Sequence, residues 1–169
     1  DGTLDSETVE LMRAADILAT HEDGWKCTLR ASTIGDLLFF HSAYPTSEDD
    51  AVFFGPDTYR FVRALEACLA APGNEVRRAV DIGCGSGPGA LTVARRFPDA
   101  QVVGADINER ALRLTRINAQ LAGASNMVAT NSNLLGSLDG EFDLIISNPP
   151  YVQDPDERTY RHGGGELGA

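Results

Sequence analysis

The run Ala79-Val-Asp-Ile-Gly-Cys-Gly-Ser-Gly-Pro-Gly89 limits the folds open to this chain more than any other stretch. A short apolar segment enters a glycine-rich turn, and Ala90 to Phe97 then reads as a helix. Glycines let a backbone come close to a ligand, and the helix start adds the positive end of a dipole beneath the turn. Strand, tight turn and helix together make a nucleotide-type pocket at the carboxyl end of a parallel strand.

The chain beyond the turn continues the same pattern. Gln101 to Ala105 reads as a second strand ending in Asp106, about twenty residues after the turn, where a carboxylate can accept from both hydroxyls of a ribose. Asn108 to Ala122 is a predicted helix with Ala111, Leu114, Ile117 and Leu121 on one face. Met127 to Thr130 is a third strand ending near Asn131 and Asn133, and Gly140-Glu-Phe142 leads into a fourth, Asp143 to Ser147. The order β-α-β-α-β-loop-β predicts an α/β protein with a doubly wound parallel sheet, and every polar candidate falls where such a sheet binds ligands.

The fourth strand stops at Asn148-Pro-Pro-Tyr151. A residue before proline is pushed out of the helical region, and each proline fixes φ and removes an N–H, so Asn148 sits on a stiff extended corner. The Asn148 side-chain carbonyl and the Pro149 main-chain carbonyl can accept hydrogen bonds there, and Tyr151 offers a flat face. These groups suit a planar NH2, an amide or an aromatic amine, whose nitrogen lone pair would be left facing an electrophile. The plain alternative is an Asn-Pro turn after a strand.

Ahead of the glycine turn, residues 1–52 are expected to form a small α+β appendage, and 53–169 the main domain. Leu11, Ala15 and Leu18 predict an amphipathic helix from Leu4 to about Thr20. Trp25 to Thr33 and Leu37 to Tyr44 flank Gly35-Asp36 as a β-hairpin. His41 at its end is expected to have a packing or surface role and not a catalytic one. Thr58 or Asp57 is expected to cap a helix running to Ala71, with Phe61, Val62, Leu65 and Leu69 as its apolar stripe; alternatively, the Gly-Pro loop carrying Asp57 and Thr58 folds over a ligand.

Composition narrows the function classes. The 169 residues, 43% hydrophobic, suffice for one core and a small appendage. A formal net charge of -11 disfavours a general nucleic-acid binder. Cys27, Cys68 and Cys84 are widely spaced with no C-x-x-C, which points to reduced thiols and no metal site. There is neither a signal-peptide pattern nor an apolar run of membrane-spanning length, so a cytoplasmic protein without membrane contact is expected. Because the first residue is Asp1 and not Met, an N-terminal piece is expected to be missing.

Two cofactors compete for the pocket. Gly85-Ser-Gly-Pro-Gly-Ala90 can be written G-x-G-x-x-A, which formally admits a nicotinamide. Against it, Asp81 just before the first glycine would repel a pyrophosphate but could hold a positively charged amino-acid moiety. S-adenosylmethionine has such a moiety, and its methyl is the electrophile missing from the Asn-Pro-Pro-Tyr corner.

Asp81-Ile-Gly-Cys-Gly-Ser-Gly87, Asp106 and Asn148-Pro-Pro-Tyr151, in this order and at these separations, resemble the class I S-adenosylmethionine-dependent methyltransferases, with a Rossmann-like fold. Within them the chain is most similar to the release-factor glutamine methyltransferase family, over roughly Phe53 to Gly168. The resemblance implies that Asp81, Gly83, Gly85 and Gly87 surround the methionine part of the cofactor. Asp106 and Ile107 would lie at the ribose, Asn133 near the adenine, and Asn148 at the junction of cofactor and target. Asn148, Pro149, Pro150 and Tyr151, together with Thr58, would hold the target, with Asn148, Pro149 and Tyr151 as the catalytic set.

Three departures stand out. Asn133 replaces the family's usual Asp, although its carbonyl can still accept from an adenine amino group. Phe54-Gly-Pro-Asp-Thr58 lacks the Arg of the family's Pro-Arg-Pro-x-Thr loop. Finally, Gly164-Gly-Glu-Leu-Gly168 resembles a segment that precedes the helix after strand four, and there the chain stops. The family fold has seven strands and this sequence supplies four, so a domain truncated after strand four is expected, with an open sheet edge.

The resemblance therefore implies methyl transfer to a planar nitrogen, first of all a protein glutamine in a partner such as a peptide chain release factor. The alternatives are a base in RNA or DNA, adenine N6 or guanine N2, for which Arg158, Arg161 and His162 would supply a basic patch, and a non-catalytic cofactor-binding subunit.

Overall fold

The computed structural model describes residues 4–22, 24–71, 73 and 75–150. The elements in order are α1 (Ser6–Ala14), β1 (Leu18–His21), β2 (Gly24–Cys27), β3 (Leu29–Ile34), β4 (Leu37–Ser42), α2 (Pro56–Leu69), β5 (Arg78–Ile82), α3 (Pro88–Arg96), β6 (Gln101–Asp106), α4 (Glu109–Leu121), β7 (Met127–Asn131) and β8 (Leu144–Ser147).

Four of these strands form a parallel sheet in the order β7-β6-β5-β8. Val80 stands at the centre, opposite Val103 on one side and Ile145 on the other. The chain moves outward from β5 to β6 and β7 and then returns to the far side of β5. The reversal creates a switch point at the carboxyl ends of β5 and β8, the place where an open α/β sheet has a crevice.

Strand alternation sorts the core into two layers. Ala79, Val102, Met127 and Ile146 face α3 and pack with Leu91, Val93 and Ala94. Val80, Val103 and Ala105 face the other way, under Leu138 and Phe142 of the crossover to β8. Asp143 starts β8 by accepting the backbone N–H groups of Arg77 and Arg78 at 2.8 and 2.9 Å, and these two bonds hold its carboxyl below the usual carboxylate range.

The sequence at the amino end folds differently from expectation. Helix α1 ends at Ala14, because Asp16 takes a left-handed φ of 56°, and Leu18–His21 pairs with Gly24–Cys27 as a separate hairpin. The expected strand from Trp25 to Thr33 is thus two strands, broken at Thr28. The turn at Gly35-Asp36 forms as expected, with Ile34 opposite Leu37 and φ 59° at the glycine. This second hairpin lies over the helices. Phe39 is 1% exposed and packs with Leu65 and Leu91, and at the tip Asp36 pairs with Arg95 of α3 at 2.6 Å.

His41 has a packing role. It is buried, bonds Ser32 Oγ through Nε2 and the Ser42 carbonyl through Nδ1, and stacks on the Phe54 ring at 4.8 Å. Burial pushes its pKa below the ordinary histidine value. Phe54 also meets Phe39 and, edge-on, Tyr59, so the Gly55-Pro56 loop is clamped between β4 and α2. Gly55 is the N-cap of α2 and Pro56 its first residue. Thr58 supplies its hydroxyl oxygen to the Gly55 N–H at 3.2 Å, while Asp57, the other expected cap, pairs with Arg60.

Leu91 is fully buried between sheet and hairpin. Leu91→Ala should therefore cost about 2–5 kcal/mol of stability in denaturant unfolding, whereas Leu121→Ala, 56% exposed on α4, should change it by less than about 0.5 kcal/mol.

Candidate active site

At the switch point lies a cavity of about 310 Å3. Its floor is Ile82 to Ser86 with Pro88 and Gly89; Asp106 to Asn108 and Ser132 to Leu134 form one side. Ala51 to Phe53, Thr58 and Phe61 form another, and Ser147 to Pro150 a third.

The glycine turn has its shape for local reasons. Gly83, Gly85 and Gly87 have φ of 70°, 56° and 91°, values that side chains strain to reach. A Cβ on Gly83 would meet nothing within 4 Å, and one on Gly85 would meet only Val52, so both leave open space toward the cavity. Gly87 is different. It caps α3, and a Cβ there would come within 3.2 Å of Thr115 on α4. It does not line the cavity wall; its smallness lets the turn lie against α4.

Asp106 anchors the turn at the end of β6. One carboxylate oxygen accepts the Gly85 N–H and the other the Asn108 N–H, each at 2.9 Å. Each oxygen retains a second lone pair for a ligand hydroxyl. Asn108 in turn caps α4, accepting from Arg110 and Ala111, and its amide holds the Asp50 carbonyl next to the wall segment 51–53.

Asp81 points to the helix side of β5 and is 2% exposed. Its Oδ2 accepts the Ala90 N–H at 2.9 Å, in the first turn of α3. Burial raises its pKa to about 7; the Ala90 bond works against the shift and the Asp106 charge adds to it. Burial, assisted by the two carboxylates, likewise pushes the Cys84 thiol well above its ordinary value, so it is no ready nucleophile.

Residues 148–150 leave the ladder as the two prolines require, and Ser147 donates to the Ile82 carbonyl at 2.8 Å, tying the ends of β8 and β5 together. Of the expected site residues, Thr58, Asp81, Gly83, Gly85, Asp106, Ile107, Asn133, Asn148, Pro149 and Pro150 line this one cavity. Tyr151 lies outside the described residues, as do Arg158, Arg161 and His162. Asn131 is turned away, its amide bonded to Glu109 and the Ile107 carbonyl.

Sequence reasoning missed Gly89 and Phe61 as parts of the site. A Cβ on Gly89 would stand 2.6 Å from Asp81 Oδ2 and 2.8 Å from the Phe61 ring. Helix α3 thus approaches β5 closely because position 89 has no side chain. The signal was present: a glycine just inside a helix costs about 1 kcal/mol relative to alanine, so it marks a packing demand.

The fold and site define the class, a Rossmann-like methyltransferase domain. The sequence pattern of the family described as "Methyltransferase small domain" matches residues 58–161, more than half of the chain, and the chain belongs to that family. Among curated relatives, a release factor glutamine methyltransferase of Fusobacterium nucleatum is 43% identical over 82 residues, 47% of this chain and 23% of that protein. A ribosomal protein uL3 glutamine methyltransferase of Neisseria meningitidis is 38% identical over 78 residues, 46% of this chain and 26% of that one. The chain thus spans about a quarter of the length of these relatives. Among solved structures, the SAM-dependent methyltransferase from Agrobacterium tumefaciens superposes with a TM-score of 0.57 at 14% identity, covering 82% of this chain and 49% of that one, a likeness of fold. S-adenosylmethionine is the cofactor of this class of proteins.

No group of three or more His, Cys, Asp or Glu among the described residues could hold a metal, and no helix among them is long and apolar enough to cross a membrane.

Asp81 gives the site a pH signature. Its folded pKa, about 7, lies above its unfolded value near 3.8, so between those values the folded chain holds a proton that the unfolded chain has lost. Stability should therefore fall as pH rises from about 4 to about 7, by an amount on the order of a few kcal/mol. Asp81→Asn, which keeps an acceptor for Ala90, should flatten that slope in urea titrations across the range.

Proposed function

We propose that the chain carries the active site of an S-adenosylmethionine-dependent N-methyltransferase acting on a planar amide or amine nitrogen, and first of all on a protein glutamine. The observation that supports this most is that Asn148, Pro149 and Pro150 open onto the same cavity as Gly83, Gly85 and Asp106, so acceptor and donor sites share one space.

The residues fit the cofactor. The turn leaves room above Gly83 and Gly85, and Asp106 keeps lone pairs for a ribose, with Ile107 beside it. Ser86 carries a buried hydroxyl with no partner among the described residues, as expected where a ligand completes the bonding. Asp81, at the floor, is the counter-charge for an amino-acid ammonium, and Asn133 is the acceptor for an adenine amino group.

When bound, S-adenosylmethionine supplies a methyl on a positively charged sulfur. The protein's part is positioning. The Asn148 side-chain carbonyl and the Pro149 carbonyl take the two hydrogens of a target NH2, which turns the nitrogen lone pair toward the methyl. Asp81, Gly83, Gly85 and Asp106 would hold the cofactor so that this nitrogen takes its methyl and leaves a neutral thioether, and the nitrogen would then give up a proton to water. No general base is required beforehand, because the nitrogen is neutral. Two relatives named for glutamine methylation, of a release factor and of ribosomal protein uL3, support a glutamine acceptor, and the acidic net charge supports a protein over a nucleic acid.

The roles separate by mutation. Asn148→Ala should lower turnover by about 100-fold, with cofactor affinity nearly unchanged, in single-turnover kinetics beside calorimetry. Asp106→Ala should instead weaken cofactor binding by about tenfold or more. For the acceptor, the chain is incubated with methyl-labelled S-adenosylmethionine and a cell extract lacking the native activity, and the product is digested. Label released by protease and found on glutamine supports the reading; label released by nuclease overturns it in favour of a base.

A further inference from the structure

One buried amide links the glycine turn to the amino-terminal part of the chain. Asn118 of α4 is fully buried. Its Nδ2 donates to the Ser86 carbonyl at 2.8 Å, in the glycine turn, and to the Phe40 carbonyl at 3.0 Å, in β4. Its Oδ1 accepts the Phe40 N–H at 2.8 Å. Both of its N–H groups and its oxygen are thus used, and hairpin and turn share one anchor. One turn of α4 earlier, Thr115 donates to the Gly85 carbonyl at 2.8 Å, so α4 holds two consecutive carbonyls of the turn from beneath.

The same strand is also bonded to the adjoining wall segment 51–53. Ser42 exchanges two bonds with Val52: its N–H donates to the Val52 carbonyl at 3.1 Å, and its Oγ accepts the Val52 N–H at 2.9 Å. Ala51, Val52 and Phe53 line the cavity, as do Gly85 and Ser86. Strand β4 is therefore bonded directly to the wall, through Ser42 and Val52, and linked to the floor through Asn118, while neither Phe40 nor Asn118 lines the cavity.

The geometry points to Asn118 as a positioning residue: it sets the glycine turn against hairpin β3-β4, so that cofactor affinity and the stability of the hairpin are coupled. The inference rests on the reading of this cavity as the S-adenosylmethionine site. Coupling of this kind is reciprocal. A cofactor that settles on the turn steadies the hairpin, and anything that displaces the hairpin loosens the cofactor.

The test has two arms and uses S-adenosylhomocysteine, which binds without turnover. In the unmodified full chain, amide hydrogen exchange at Phe40 should slow by about tenfold at saturating ligand, although Phe40 is outside the cavity. Unchanged exchange at Phe40 in the presence of measured binding overturns the proposal and leaves the cavity reading intact. No binding by the unmodified chain overturns both. In the second arm, Asn118→Asp keeps an acceptor for the Phe40 N–H and, with at most one O–H in place of two N–H groups, loses at least one of the two donated bonds. It should weaken binding about tenfold in calorimetry and abolish the ligand-induced protection at Phe40. Leu112→Ala, fully buried on the same helix but outside these bonds, should lower the melting temperature while affinity and protection stay as they were. Equal losses of affinity in Leu112→Ala and Asn118→Asp would assign Asn118 to general stability and overturn the proposal. If Asn118→Asp does not fold, the exchange result on the unmodified chain decides alone.

Discussion

The contact on which the site depends is the bond between the buried Asp81 carboxylate and the Ala90 N–H. It joins the carboxyl end of the central strand to the first turn of the helix that follows, and so determines how tightly the chain turns between them. A carboxylate at 2% exposure is costly to keep charged, which is why its pKa rises to about 7. The fold accommodates it by bringing α3 unusually close, and the missing side chain at Gly89 is the condition for that approach. A charge-sensitive group is thereby placed in the floor of a cavity whose other polar groups come from three different strand ends.

The sheet order gives those strand ends their common direction. All four strands are parallel, so their carboxyl ends face one side, and the reversal between β5 and β8 opens the crevice there. Gly83, Asp106, Asn133 and Asn148 are distant in sequence and line one cavity because each ends or follows a strand of this one sheet. Helix α4 holds the turn from below through Thr115 and Asn118. Hairpin β3-β4 thus belongs to the architecture of the site, whatever else it contributes.

Much of this was legible beforehand, and for a definite reason. Strands β5, β6, β7 and β8 and helices α2, α3 and α4 carry strong local signals: aliphatic runs, glycine and proline boundaries, and capping residues such as Asn108. The amino end was harder. Leu11, Ala15 and Leu18 have helical spacing, yet the helix ends at Ala14, and a two-stranded hairpin follows whose exposed strands leave little hydrophobic pattern. On α4 the apolar stripe suggested a face through Ile117 and Leu121. Ala111 and Leu114 of that stripe are buried, but so are Leu112, Thr115 and Asn118 beside it, and Leu121 is 56% exposed. Two polar side chains are buried there because they satisfy carbonyls of the glycine turn and the hairpin, partners that periodicity cannot reveal.

The sequence by itself determined the class of fold, the glycine turn, an acid at the end of β6 and the Asn-Pro-Pro corner, because each follows from short-range patterns among adjacent residues. Only the tertiary structure decided what those pieces share. It placed Gly87 against Thr115 and away from the cavity, buried Asp81 deeply enough to shift its proton affinity, and assigned Asn118 to the junction of hairpin and turn. These outcomes depend on distances between residues far apart in the chain, and such distances exist only once the sheet, the helices and the hairpin have packed.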